Sequence, residues 1–105
     1  AIRFLRANAD ALGLNPDKLV AAGMSAGAHM ACMLGVSSDH EQLNGQLGEY
    51  LEETTEVMGV LALYPPTDFL SVSRDFDGLI DYYAEDSPVT QLLGESITSA
   101  PEKSN

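Results

Sequence analysis

The residues best suited to chemistry lie at positions 23–27, which read Gly23-Met24-Ser25-Ala26-Gly27. They separate a short apolar run from a run of helix-forming residues, so the pattern predicts a sharp turn from a strand into a helix. A serine at the centre of such a turn stands exposed, with its Oγ open to a substrate. Ser25 is therefore a candidate nucleophile. Gly23 and Gly27 are expected to let the main chain turn tightly and the two elements approach closely.

A serine nucleophile needs a base and an acid, and the sequence offers few candidates nearby. The side chain of His29 would project from the helix, whereas that of Ser25 projects from the turn. We therefore expect His29 to pack within the helix and not to act as the base. His40 would lie past the far end of that helix, which at 1.5 Å per residue is roughly 15 Å long, and it is the alternative base. Asp68 follows an apolar run and is expected to hold the next turn, with a role at the rim of a pocket as the alternative.

The remaining side chains of chemical interest favour structural roles. Tyr82 and Tyr83 are expected to pack at the rim, with substrate contact as the alternative. Cys32 is expected to pack as a small hydrophobe rather than to act as a reactive thiol. The histidines and the cysteine lack the spacing of metal ligands, and the glycines match neither a dinucleotide loop nor a P-loop. We therefore expect no metal and no cofactor.

Composition excludes several classes of partner. The 105 residues hold 16 acidic and 5 basic residues, for a net charge of −11. Such a charge disfavours binding to nucleic acid and to anionic membranes. No apolar run approaches the roughly 20 residues that span a bilayer, so membrane insertion is not expected. Hydrophobic residues make up 45% of the chain, which is typical of a folded domain.

Hydrophobic periodicity predicts the elements that position Ser25. A helix is expected over residues 1–12, ended by Gly13, and a strand over Lys18–Ala22. A helix over Ala26–Leu34, buried on several faces and ended by Gly35, precedes a strand over Val57–Tyr64 that Pro65-Pro66 ends. The other expected elements are a short amphipathic helix through Leu43, Leu47 and Leu51, a loop and helix over 75–86 with Phe76 among its apolar residues, a last helix from Ser87-Pro88 to Leu93 ended by Gly94, and a loose polar tail over Ser96–Asn105.

The fold class that these elements predict is α/β. A strand, a helix and a second strand joined by a long crossover predict parallel pairing with a right-handed connection. The second strand lacks alternation, which is typical of a parallel strand covered on both faces. Such strands need neighbours on both edges. We therefore expect the 105 residues to be a single partial domain from the middle of a larger one.

Three stretches carry a resemblance to a known family: Gly13-Leu14-Asn15-Pro16-Asp17, the run from Gly23 to His29, and Tyr64-Pro65-Pro66-Thr67-Asp68-Phe69. In this order, and with Ser87-Pro88 and Leu92-Leu93-Gly94 after them, they resemble the central part of the α/β-hydrolase fold. The likeness is to its acetyl-esterase-like and hormone-sensitive-lipase-like carboxylesterases, and it implies a serine esterase or lipase that acts on small-molecule esters.

The resemblance also implies roles for individual residues. Ser25 would form the acyl-enzyme, and the N–H of Ala26 would be one donor of the oxyanion hole. The family's His-Gly-Gly loop upstream, and its triad Asp and His downstream, have no match in these 105 residues, which alone are expected to be inactive. The alternative is a non-catalytic α/β interaction module that keeps the turn as a structural feature. Such a module would self-associate as a homo-oligomer through its open sheet edges.

Overall fold

The computed structural model describes residues 1–75, 78–96 and 99. These residues form a mixed α/β structure divided into two compact units, Ala1–Pro65 and Pro66–Asn105. Phe76 and most of the tail predicted to be loose lie outside the described residues. Within the described part of the chain, every helix is too short or too polar to cross a membrane.

The first unit begins with two short helices, α1 (Ile2–Ala7) and α2 (Ala9–Leu12), where the sequence predicts one. The break lies at Asn8, whose side-chain amide donates to the Phe4 carbonyl at 2.9 Å. The main-chain N–H of Asn8 donates to the same carbonyl at 3.1 Å, so two donors of Asn8 share one acceptor where the helix is interrupted. Gly13 ends α2 in the left-handed conformation, with φ 67°, as predicted.

Two parallel strands form the sheet, β1 (Val20–Met24) and β2 (Gly59–Leu63). The predicted parallel pairing is confirmed, with Val20 opposite Gly59 and Met24 opposite Leu63. β1 begins two residues later than expected because Pro16–Lys18 form a 3₁₀ turn. The side chain of Asn15 starts that turn by accepting from the N–H of Asp17.

The predicted helix after Ser25 is present as α3 (Ala26–Val36) and packs against both strands. The sequence predicts that Gly35 ends this helix, and that prediction is wrong, because the helix continues to Val36. A Cβ on Gly35 would lie 2.6 Å from the Cγ2 of Val60, so the glycine lets the last turn of α3 approach β2.

Burial on several faces of α3 is a prediction that the structure contradicts. Ala28 and Ala31 are buried, whereas Met30 and Val36 are exposed. The expected cover on both faces of the strands is likewise absent among the described residues. The two strands have more apolar surface than α3 covers. Their exposed residues include Val20, Val60, Leu61 and Leu63.

The segment after α3 holds one short helix, α4 (Glu41–Asn44). The amphipathic helix predicted through Leu51 is wrong beyond Asn44. Gly45 adopts φ 62° and ψ 172°, which turns the chain out of the helix. Leu47 is consequently 94% exposed rather than part of an apolar stripe.

Two arginines of α1 bond to backbone carbonyls of the irregular segment after α4 and so hold it without helical hydrogen bonds. Arg3 donates to the carbonyls of Gly45 and Glu53 at 3.2 Å each. Arg6 donates to the carbonyls of Pro16, Thr54 and Glu56. A guanidinium carries five N–H donors, so two side chains can fix a long stretch of irregular backbone.

The second unit contains α5 (Val72–Asp75) and α6 (Pro88–Leu93). The start and end of α6 agree with the prediction. The Oγ of Ser87 accepts from the N–H of Thr90 at 3.1 Å, and Gly94 ends the helix with φ 81°. The helix predicted within 75–86 is not found in the described residues 78–86, which form turns.

The core of the second unit is small. Phe69 and Val89 are buried, and Tyr82 and Tyr83 pack against them. The hydroxyl of Tyr83 donates to the Leu70 carbonyl at 2.6 Å. The two tyrosines therefore have the packing role that the sequence predicts.

Candidate active site

Ser25 lies alone between the last residue of β1 and the first residue of α3, with φ 51° and ψ −122°. This combination falls outside the conformations that non-glycine residues favour. Holding a residue there costs on the order of 1–3 kcal/mol. Ser25 is exposed to solvent. The sharp, strained reversal from strand to helix is therefore present where the motif predicts it.

Three hydrogen bonds hold the main chain of Ser25. Its N–H donates to the Leu63 carbonyl at the end of β2, at 3.1 Å. Its carbonyl accepts from the N–H of Ala28 at 3.0 Å and of His29 at 3.1 Å. The hydroxyl makes no capping bond to the helix. The turn is thus fixed through the backbone, which leaves the Oγ available for chemistry.

The two glycines of the motif have different roles. A Cβ on Gly23 would overlap the carbonyl group of Gly27 and would lie 2.8 Å from the nitrogen of Ala28. Gly23 is therefore required by the close approach of β1 and α3. A Cβ on Gly27 would meet no described atom within 4 Å. The expected packing requirement at Gly27 is not found among the described residues.

Ala26 opens α3, and its N–H belongs to the first turn, where intrahelical acceptors are lacking. Among the described residues, no carbonyl outside the regular helix and strand bonding accepts a hydrogen bond from the N–H of Ala26. The helix dipole favours negative charge at this end. This N–H can therefore donate to an anionic oxygen that forms next to Ser25.

Neither histidine of the sequence is bonded to the Ser25 hydroxyl in the described part of the chain. His29 is half-buried in α3 and takes part in the helical ladder through its N–H. His40 occupies the N-cap position of α4, where only its carbonyl bonds to the helix. It lies beyond the far end of α3, whose 11 residues extend about 16 Å.

Asp68 belongs to the second unit and holds a turn there. Its Oδ1 accepts from the N–H of Leu70 at 2.9 Å and of Ser71 at 3.1 Å. The Ser71 N–H, first among several hydrogen bonds, holds the pKa of Asp68 below its usual value. The turn-holding role predicted for this residue is confirmed.

One pair near Ser25 was not singled out by the sequence. Tyr64 is the first residue after β2, has φ 44° and is 70% exposed. Its hydroxyl lies 3.2 Å from the Sδ of Met24, the residue before Ser25. The signal that could have found it is positional, because Tyr64 follows its strand as Ser25 follows β1. The carboxyl ends of parallel strands are where α/β proteins bind ligands.

A cavity of about 950 Å³ lies in the first unit. One stripe of α3 lines it through Gly27, Met30, Ala31 and Leu34, together with α1 and the segment from Leu43 to Thr55. Ser25 is not among its lining residues.

The family model BD-FAE matches residues 1–105, the whole of the chain. No curated protein matches the sequence of the chain. BD-FAE is an α/β-hydrolase-like esterase domain, and the match agrees with the mixed α/β architecture of the described residues. The chain belongs to the BD-FAE family, whose members have a hydrolase- or esterase-like function.

Proposed function

We propose that the protein is a serine carboxylesterase or lipase that hydrolyses acyl esters through a covalent acyl-enzyme on Ser25. The observation that carries this proposal is the main-chain conformation of Ser25, with φ 51° and ψ −122° at an exposed junction of β1 and α3. Backbone strain of this kind is concentrated at functional sites. Membership of an esterase-like family supports the same chemistry.

In the proposed reaction, the Oγ of Ser25 attacks the ester carbonyl carbon while a base takes the hydroxyl proton. The carbonyl electron pair moves to oxygen, and the Ala26 N–H donates to the resulting oxyanion. When the pair returns, the alcohol leaves with the proton held by the base. Water then attacks the acyl-enzyme in the same way, which releases the acid and restores Ser25.

The base, its orienting acid and a second oxyanion donor are proposed to come from segments of the protein other than these 105 residues. Among the residues described, His29 lies within α3, His40 lies at the start of α4, and Asp68 holds a turn. The apolar strand residues left exposed, such as Leu61 at 58%, support further strands and helices packing on this sheet. Assignment to the acetyl-esterase-like and hormone-sensitive-lipase-like branch rests on the segment Tyr64–Phe69.

Labelling with a fluorophosphonate tests the role of Ser25 directly, because this reagent traps activated serine hydroxyls. The intact protein should be labelled on the peptide that contains Ser25. Ser25→Ala should lose both the label and ester hydrolysis, whereas the matched variant Ser38→Ala should keep both. Undiminished labelling and turnover in Ser25→Ala would show that another residue is the nucleophile. Absence of labelling in every variant would favour the interaction module.

The 105 residues by themselves are proposed to have little turnover. Loss of triad members costs about 10⁴–10⁶ in rate. An ester assay on this segment beside the intact protein measures the difference. A rate equal to that of the intact protein would instead place the base within these residues, with His40 as the first candidate.

A further inference from the structure

Ser25 and Tyr64 occupy matching positions at the ends of the two paired strands. Met24 and Leu63 form the last pair of the parallel register, and Ser25 and Tyr64 are the residues that follow. The N–H of Ser25 donates to the Leu63 carbonyl at 3.1 Å, so the pairing continues up to the turn. Both residues therefore lie at the carboxyl ends of the strands, on two neighbouring strands of the sheet.

Both residues also have a positive φ, 51° for Ser25 and 44° for Tyr64. For a large side chain this conformation is an outlier, because the Cβ crowds the main chain. Among the described residues, burial does not compensate for the strain at Tyr64, which is 70% exposed. A strained and exposed tyrosine beside a strained serine indicates that the ring is placed for contact with something other than the core.

The hydroxyl of Tyr64 lies 3.2 Å from the Sδ of Met24, so the tyrosine side chain reaches across to the neighbouring strand end. Met24 directly precedes Ser25 and is itself 60% exposed. Together the ring and the thioether make an apolar surface at the ends of β1 and β2, where the chain continues into Ser25 and the turn. A thioether is polarisable and adapts to different ligand shapes, and an aromatic ring offers a large apolar area.

We propose that Tyr64 is a substrate-positioning residue, and that with Met24 it forms a wall beside Ser25 that contacts the hydrocarbon chain of the ester. This inference rests on the proposed function. It commits the site to esters with an apolar chain, acyl or alkyl, in preference to the smallest esters. Such contact stabilises the bound substrate and the transition state alike, so its loss raises KM more than it lowers kcat.

The test compares kinetics of the intact protein on two series of esters. One series is p-nitrophenyl acetate, butyrate and hexanoate, and the other is methyl, butyl and hexyl acetate. In Tyr64→Ala, kcat/KM for the longest ester of one series should fall about tenfold, mainly through KM, and the shortest ester should change much less. Tyr64→Phe keeps the ring and should restore the preference for long chains.

Tyr50 provides a matched control. It is also a tyrosine with a positive φ, 64°, but its ring packs edge-on against Phe4 of α1 at a centroid distance of 6.2 Å. Tyr50→Ala should leave the chain-length preference unchanged. Tyr64→Gly removes the ring and permits the positive φ, so it should keep or raise the melting temperature while losing the preference. This variant separates a positioning role from a folding role.

The inference is overturned if Tyr64→Ala or Tyr64→Gly folds and keeps the same chain-length preference in both series. It is also overturned if the preference changes equally in Tyr50→Ala. Fluorophosphonate labelling distinguishes these failures from failure of the proposed function. If Ser25 is labelled and the Tyr64 variants keep the chain-length preference, the esterase assignment is retained and the positioning role of Tyr64 is rejected. With Ser25→Ala fully active, both proposals fail together.

Discussion

The main chain of Gly27 occupies the space in which a side chain on Gly23 would lie. A Cβ built on Gly23 would overlap the carbonyl of Gly27, and it would also approach the nitrogen of Ala28 to 2.8 Å. Backbone atoms held in a strand and a helix cannot move aside as a flexible side chain can. The turn at Ser25 therefore depends on the absence of a side chain at Gly23.

We expect Gly23→Ala to destabilise the intact protein by at least about 2–3 kcal/mol, because the added Cβ meets main-chain atoms of α3 and not a movable side chain. Gly27→Ala is the matched variant, since no described atom lies within 4 Å of its added Cβ. It should be neutral or stabilising by up to about 1 kcal/mol through helix propensity. Urea denaturation of both variants measures the difference. Equal destabilisation would show that the close approach is not confined to Gly23.

The strain at Ser25 leads to a second prediction. Ser25→Gly and Ser25→Ala should both abolish ester hydrolysis, because each lacks the hydroxyl. Glycine tolerates φ 51° with ψ −122°, whereas alanine has the same Cβ as serine. Allowing for the greater flexibility of glycine when unfolded, we expect Ser25→Gly to be about 1 kcal/mol more stable than Ser25→Ala. Thermal denaturation tests the order, and a less stable glycine variant would argue against strain at this residue.

The arginine contacts of α1 predict the third result. Arg6→Met removes hydrogen bonds to the carbonyls of Pro16, Thr54 and Glu56 while keeping an apolar stem. We expect a loss of about 1–3 kcal/mol in the free energy of unfolding. Arg74→Met is the control, since Arg74 is exposed and pairs with the adjacent Asp75 at 3.8 Å. Its loss should be about 0.5 kcal/mol or less. Equal losses in the two variants would contradict the role assigned to Arg6.

The turn at Asp68 predicts a dependence on pH. The Ser71 N–H is the largest cause that holds the pKa of Asp68 below its ordinary value of 3.8. The carboxylate therefore stabilises the turn fully above the unfolded-state pKa, and this contribution is lost as pH falls through the lower folded-state pKa. In the intact protein, the amide protons of Leu70 and Ser71 should titrate with a midpoint below 3.8 by NMR. Asp68→Asn should abolish the titration, and a midpoint above 3.8 would show that these bonds do not favour the charged form.

Much of the surroundings of Ser25 was predictable because the relevant signals are local. The spacing of glycines around Ser25, the apolar run before it and the helix formers after it act within a few residues of one another. The same holds for α6, where Ser87, Pro88 and Gly94 mark both ends. Parallel pairing of β1 and β2 was predictable from the crossover, since only a long connection joins parallel strands.

The errors arose where a distant contact changed the meaning of a residue. Gly35 has the local appearance of a helix end, but it lies inside α3, where Val60 of β2 fills the space that a side chain would need. Leu43, Leu47 and Leu51 repeat at helical spacing, yet Gly45 turns the chain out, and Arg3 bonds its carbonyl. Hydrophobic periodicity measures what a segment could form in isolation, and such contacts decide what it forms.

The amino-acid sequence by itself determined the type of element on each side of Ser25, the α/β class and the chemistry that a serine in such a turn suggests, because propensity and turn chemistry act between near neighbours. The tertiary structure alone decided that Gly23 and not Gly27 is sterically required, and that Tyr64 lies beside Met24 at the same sheet edge as Ser25. Those relationships depend on the register that joins two strands 39 positions apart in the chain, such as Val20 with Gly59, and no local pattern specifies it.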